Sequence, residues 1–286
     1  MTGHRPIIVG IDGSAAADKA VIWAALCARR RDRRLHIVTA VDMPGVVDLS
    51  EFAGEATEFV ATAKSRLAAA ETLAVSVVDD PTFEVTSSAV EGGVMDVLIG
   101  VSAQAELLVI GASETGAVTL SLAAHSVSPV AVVRGRDIDG RPVAEGPVVV
   151  GVDGSDVNQA AVEWAFAEAS ARDAPLIAVH VWSDVDLTRS FGRAPADWQA
   201  IADTEEALLA ESLAGWQERF QEVDVQRVVA QDRPVRVLSG LSETAAVIVV
   251  GNRGRGGFGG MLLGSTSFAL VNTADCPVLV VRKAVT

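Results

Sequence analysis

Apolar residues fall in short unbroken runs, each followed by a longer stretch with helical spacing, and the pattern crosses the chain twice. In the second half the runs 148–152, 176–182, 223–229, 246–250 and 278–282 are rich in Val, Ile and Leu and lack strict alternation. That is the mark of strands covered on both faces. Helical stretches lie between them at 158–172, 204–220, 233–243 and 265–273. Strand–helix–strand order implies crossovers of one hand and a parallel sheet. Each half is therefore expected to be an α/β domain, doubly wound on a five-stranded parallel sheet, with ligands at the carboxyl ends of its strands.

The two halves are copies. "PIIVGIDGS" (6–14) returns as "PVVVGVDGS" (147–155), an offset of 141, and Trp23 then falls on Trp164 and Arg31-Asp32 on Arg172-Asp173. "AELLVIG" (105–111) matches "AAVIVVG" (245–251), and "SPVAVVR" (128–134) matches "CPVLVVR" (276–282). Such self-similarity marks a tandem duplication. The domains read as 1–140 and 141–286, joined through the polar, Gly- and Pro-bearing "GRDIDGRPVAEGP" (135–147).

Charge narrows the partners. The net charge is −14, shared as −7 and −7 between the halves. Such a field repels nucleic acid and anionic membrane, so neither is an expected partner. The basic run Arg29, Arg30, Arg31, Arg33 and Arg34 reads as the solvated end of a helix, where cations suit the dipole. The two cysteines, Cys27 and Cys276, suggest neither a disulfide framework nor a zinc site. No signal peptide is read, and no apolar run reaches the roughly 18 residues of a membrane span. The expected location is cytoplasmic.

The stretch "VGNRGRGGFGGMLLGSTS" (250–267) holds seven glycines in eighteen residues. It leaves the fourth strand of the second half at Gly251 and ends where Ser265, Thr266 and Ser267 open the last helix. Glycines let successive amides turn toward one anion, and a helix N-terminus beyond a strand end suits phosphate. Arg253 and Arg255 add charge. By composition a polyphosphate cradle and a plain mobile loop are both open. "GRGGFG" (254–259) matches GxGxxG, but it follows a fourth strand and opens no helix directly, so it is no dinucleotide fingerprint. A Walker A loop needs Gly-Lys-Ser/Thr, and the only lysine in this half is Lys283.

Gly251-Asn252-Arg253-Gly254, nine residues, then Gly264-Ser265 reads as G-x2-G-x9-G-[ST]. With "VGVDGS" on the first strand, "VHVW" (179–182) ending the second and "CPVLVV" on the last, the second half resembles the ATP-binding class of the universal stress protein family. The resemblance covers the whole chain as two tandem domains. It implies an adenine nucleotide alpha hydrolase-like fold with ATP across the strand ends, probed by Gly151, Val152 and Asp153 of the first strand. Asp153 would lie by the adenine and ribose, the backbone at Val181 would read the adenine edge, and Asp184 would be near the ribose. Val250, Gly251, Asn252, Arg253, Gly254, Arg255, Gly256, Gly257 and Gly264, with the hydroxyls of Ser265, Thr266 and Ser267, would hold the phosphates and a Mg²⁺ ion. Taken alone, Asp153 reads first as an Asp that closes a strand–helix turn and caps the helix, a role compatible with binding. The resemblance also implies domains pairing through their last strands, an intramolecular pseudo-dimer here, with a homodimer as a further possibility and regulatory protein partners unknown.

The first half departs from the pattern. Aligning 116–134 on 264–282 gives an offset of 148, against 140 at Gly111 and Gly251, so eight residues are missing between Gly111 and Gly116. Ala117 and Val118 replace Ser265 and Thr266, Thr119 keeps a hydroxyl, and Glu114 adds a carboxylate. A minus charge 4 Å from a phosphate opposes binding by about 1–4 kcal/mol. ATP is therefore expected in the second domain alone, although Asp12-Gly13-Ser14 survives in the first.

Dedicated catalysis is not expected. The histidines at 4, 36, 125 and 180 form no triad or metal spacing. His180 alternates with Val179 and Val181 on a central strand, a core or pocket-wall position. Phosphoryl transfer wants a phosphate lysine, a metal carboxylate and a residue orienting water, and none is evident, so at most slow ATP hydrolysis is expected. The leading reading is an ATP-binding regulator of stress response or growth. An ATP-using hydrolase or adenylyl-transfer enzyme on the same fold, and a ligand-independent scaffold, are the alternatives. The stretches 43–56 and 183–197, after each second strand, read as surface loops.

Overall fold

A computed structural model describes residues 4–42, 53–112, 116–138, 140–142, 145–155, 157–182, 198–254 and 262–282. The chain divides into two compact units, Met1–Pro142 and Val143–Thr286.

The first unit runs β1 (Ile7–Gly10), α1 (Ala15–Arg30), β2 (Leu35–Val41), α2 (Ala53–Val77), β3 (Val85–Glu91), α3 (Val94–Ser102), β4 (Leu107–Gly111), α4 (Ala117–His125) and β5 (Val130–Val133). All pairings are parallel, in the spatial order β3-β2-β1-β4-β5. The order reverses between β1 and β4, which opens a crevice at their carboxyl ends. A short antiparallel hairpin follows, β6 (Asp137–Ile138) with β7 (Arg141–Pro142). The polar joint thus carries structure of its own, and Lys19 of α1 pairs with Asp137.

The second unit repeats the plan: β8 (Val148–Gly151), α5 (Gln159–Arg172), β9 (Leu176–Trp182), α6 (Trp198–Arg219), β10 (Val225–Gln231), α7 (Pro234–Ser242), β11 (Val247–Gly251), α8 (Ser265–Thr273) and β12 (Val278–Val281). Its parallel order is β10-β9-β8-β11-β12, with the switch between β8 and β11. The central strands are buried along their length, as unbroken Val and Ile runs require.

Three elements differ from the sequence reading by more than one residue. β10 runs two residues later than 223–229, because Val223 is in a turn donating to Phe220 and all seven residues of β9 find partners through Gln231. Pairing carries the strand past its last β-branched residue. Helix α6 starts at Trp198 rather than 204, and α2 starts at Ala53, inside a stretch read as loop.

The repeat extends to backbone detail. Asp32 and Asp173 both take the left-handed conformation, at φ 52° and 51°. Each is followed by an amide that reaches back over the helix end, Arg33 to Ala28 at 2.9 Å and Ala174 to Ala169 at 3.1 Å. This closure satisfies orphan carbonyls of the last turn. The basic run at the end of α1 is less solvated than its composition suggests: Arg31 and Arg33 both engage Glu106, and Arg29 pairs with Asp80 at 2.8 Å.

Candidate functional site

The site of the second unit assembles where β8 and β11 end side by side. Beyond Gly151 the chain turns through Asp153, Gly154 and Ser155 into α5. Gly154 has φ 71°, as its counterpart Gly13 has φ 83°, a conformation that a Cβ would strain. Asp153 Oδ1 accepts from the Ser155 amide at 2.9 Å and from its hydroxyl at 2.7 Å. Asp12 likewise accepts from the Ser14 amide at 2.9 Å. The turn-closing role open to Asp153 on sequence grounds is therefore real, and it occupies one carboxylate oxygen. The other, Oδ2, is directed at Gly254: a Cβ there would lie 2.9 Å from it. Glycine is what allows the acidic turn and the loop to meet.

The loop is pinched at its base. The Asn252 amide donates to Val281 of β12 at 2.8 Å, and the Gly264 amide donates back to the Asn252 carbonyl at 2.7 Å. Ser267, buried in the first turn of α8, donates its hydroxyl to the Gly251 carbonyl at 2.6 Å. Ser267 therefore secures the strand end, its hydroxyl hydrogen committed to the Gly251 carbonyl. Ser265 is exposed and Thr266 half-buried. Helix α8 has Gly264 as its N-cap, with no side-chain cap bond, so the hydroxyls do not cap this helix end. The first-turn amides have no intrahelical acceptor, and the helix dipole adds partial positive charge there.

Val152 is buried, and its amide donates to Val179 of β9 at 2.8 Å. Val181, half-buried, is paired in register with Ala230. Val250 is buried against Gly151, where a Cβ would meet it at 3.5 Å. Arg253 is exposed at the mouth of the loop. Asp184, Arg255, Gly256 and Gly257 lie outside the described residues.

Two participants were missed in the sequence. Asn158, 4% exposed, donates Nδ2 to the Gly151 carbonyl at 2.9 Å and accepts from the Asp153 amide at 3.4 Å, tying α5 to the turn. Its signal was there to find: the matching residue of the first half is Ala17. Glu205 of α6 meets His180 at 2.7 Å, a partnership 25 residues apart that no spacing rule would propose.

The first unit builds the same corner differently. Gly116 caps α4 in the left-handed conformation, φ 65°, where Gly264 has φ −68°. Thr119, the counterpart of Ser267, has a buried hydroxyl with no partner among the described residues. A Cβ on Gly111 would overlap the Ala16 carbonyl, so α1 presses directly on the end of β4. Arg66 of α2 crosses the Asp12-Gly13 turn, its Nε 2.9 Å from the Cβ position of Gly13. Burial pushes the Asp12 carboxyl up, but hydrogen bonds from Ser14 and the local backbone, with the charge of Arg66, outweigh it and hold the pKa below the usual value. A cleft remains at the end of β2, between Val41, Asp42 and the α2 residues Phe59, Thr62 and Arg66. Glu114 lies outside the described residues.

Among the described residues no group of three His, Cys, Asp or Glu is placed to hold a metal ion, and no helix is long and apolar enough to cross a membrane. The family model described as "Universal stress protein family" matches residues 3–134 and again 146–282. Universal stress protein Rv1996 of Mycobacterium tuberculosis (strain ATCC 25618 / H37Rv) is 38% identical over 303 residues, spanning 96% of this chain and 94% of that protein. Universal stress protein Rv2005c of the same strain is 38% identical over 299 residues, 97% of each chain. Among solved structures, a universal stress protein from Archaeoglobus fulgidus DSM 4304 superposes with a TM-score of 0.68 at 16% identity, covering 98% of this chain and 96% of that one. At that identity the likeness speaks for the fold alone.

Proposed function

The chain belongs to the universal stress protein family, and from that premise we propose that its second unit binds ATP, with Mg²⁺, and acts as a nucleotide-dependent regulator of stress response or growth. One observation carries the reading: Gly254, held against Asp153, and the bare N-cap Gly264 bring an acidic turn and an uncapped helix end together at the strand switch of β8 and β11. A carboxylate suits ribose hydroxyls, and free first-turn amides suit phosphate oxygens. The loop base, pinned by Asn252, Gly264 and Ser267, would keep these groups in place before the ligand arrives. The role proposed is binding rather than dedicated catalysis.

The first unit is proposed not to take ATP in the same way. Support comes from Arg66 lying across the Asp12-Gly13 turn and from the loss of the hydroxyl lock at Thr119. The test is to denature freshly purified protein and identify what is released by chromatography and mass. About one ATP per chain is expected. Two per chain would place a nucleotide in the first unit and overturn its exclusion. None, with no gain in heat stability on adding Mg-ATP, would overturn the nucleotide reading in favour of a ligand-independent scaffold.

A further inference from the structure

His180 is buried on β9, 3% exposed, with an acceptor at each end of its ring. Nδ1 lies 2.7 Å from the Val152 carbonyl oxygen, and Nε2 lies 2.7 Å from Oε2 of Glu205 on α6. A carbonyl oxygen only accepts, so Nδ1 carries a hydrogen. The contact between Nε2 and Oε2 then needs one more proton, carried by the imidazolium or by the carboxylic acid. Once that proton leaves, a nitrogen lone pair faces a carboxylate and the contact has nothing to hold it.

The first unit makes the same strand contact with no proton at stake. Thr39 occupies the position of His180 and donates Oγ1 to the Ile11 carbonyl, the counterpart of Val152, at 3.1 Å. The second unit has replaced a hydroxyl that suffices by a ring that reaches on to another helix. The carbonyl it grips belongs to the residue just before Asp153.

We propose that His180 and Glu205 form a proton-bearing strut that positions the Val152–Asp153 strand end, so that nucleotide affinity falls as rising pH removes the shared proton. This rests on the nucleotide reading above. His180 and Glu205 act through Asp153, as positioning residues. Arg227 shares the sheet face on β10, two residues from Val229, the partner of His180. Asp203 and Glu206 flank Glu205 on α6. On α5, Glu163 and Glu168 engage Arg219 and Arg172, and on α7 Arg236 engages Asp232.

The experiment is a pH series of long-range ¹⁵N–¹H spectra of the histidine rings in the full chain, with His180 assigned by its loss in His180→Thr. ATP titrations by calorimetry run alongside for the native chain, His180→Thr and Glu205→Gln. Threonine copies the solution of the first unit. The glutamine amide donates to a neutral Nε2 and has no proton to lose. The γ-phosphate of ATP titrates alike in all three, so the difference between them is the measure. The expected result is a hydrogen on Nδ1 throughout, loss of the shared proton with rising pH, and an Asp153 amide shift that follows it. Native affinity should fall by up to about tenfold per pH unit, the limit for one linked proton, beyond the slope of either variant. A ring that titrates with the Asp153 amide unmoved, or variants that keep the native slope, would overturn the strut. Absence of ATP binding at every pH, with the Asp153 amide still following the ring, would instead refute the nucleotide reading and leave the strut in place.

Discussion

The hydroxyl of Ser267 donates to the carbonyl of Gly251 across the base of the glycine loop, at 2.6 Å and out of contact with water. It joins the end of β11 to the first turn of α8. Ser267→Ala would leave a buried carbonyl without this donor, a cost of about 1–3 kcal/mol. We expect a lower urea midpoint for the second unit and weaker ATP binding in calorimetry. The matching change in the first unit, Thr119→Val, removes a hydroxyl that has no partner among the described residues. It should be neutral or stabilising, since replacing an unsatisfied polar atom by an isosteric apolar one relieves its desolvation.

Gly254→Ala separates binding from stability. Its Cβ would lie 2.9 Å from Asp153 Oδ2, a side-chain atom that can swing away. The expected outcome is a thermal midpoint close to native with ATP affinity reduced, because the carboxylate leaves its place. Gly264→Ala meets only ordinary contacts, with Arg253 Cα at 3.4 Å, and should bind more nearly as the native chain does. Equal affinities for the two variants would count against Asp153 as a ligand group.

Gly111→Ala should be damaging for a different reason. The overlap there is with the backbone carbonyl of Ala16, which cannot rotate aside. Overpacking of this kind costs about 1–3 kcal/mol or more. The loss should appear in the unfolding transition of the first unit, while ATP bound by the second is unchanged.

Asp12 gives the first unit an acid-sensitive element. Its folded pKa is depressed, so its contribution is fully present above the unfolded value of about 3.9 and is lost as pH falls through the lower folded value. Asp12→Asn should therefore be less stable than native at neutral pH and should converge on it as the pH falls below about 4. A constant gap between the two denaturation curves at every pH would contradict this.

Asn158→Ala removes the donor to the Gly151 carbonyl and the acceptor for the Asp153 amide. A loss of about 1–3 kcal/mol is expected, with ATP affinity reduced because the turn carrying Asp153 is no longer fixed. Ala17 holds the same place in the first unit, where Ser14 caps α1 by accepting from the Ala17 amide at 3.2 Å. The variant should fold for that reason.

The sequence by itself determined the duplication, the parallel α/β plan and the place of the glycine loop. Unbroken Val and Ile runs have few alternatives to buried strands, and an offset of 141 between two copies of one phrase needs no coordinates. It also located the shortened loop of the first half. What the tertiary structure decided is which polar atoms were already committed. Ser265, Thr266 and Ser267 look alike in sequence, yet burial turns Ser267 inward to Gly251 and leaves Ser265 exposed. His180 reads as a core or pocket-wall residue until Glu205 arrives from α6. Asn158 shows in the sequence only as a departure from Ala17, and Arg66 not at all, because each acts on a turn reached only by folding. Local pattern fixes the elements, since periodicity is a property of neighbours along the chain. The partner of a polar side chain is set by which strand ends and helix faces meet, and that depends on the packing of the whole unit.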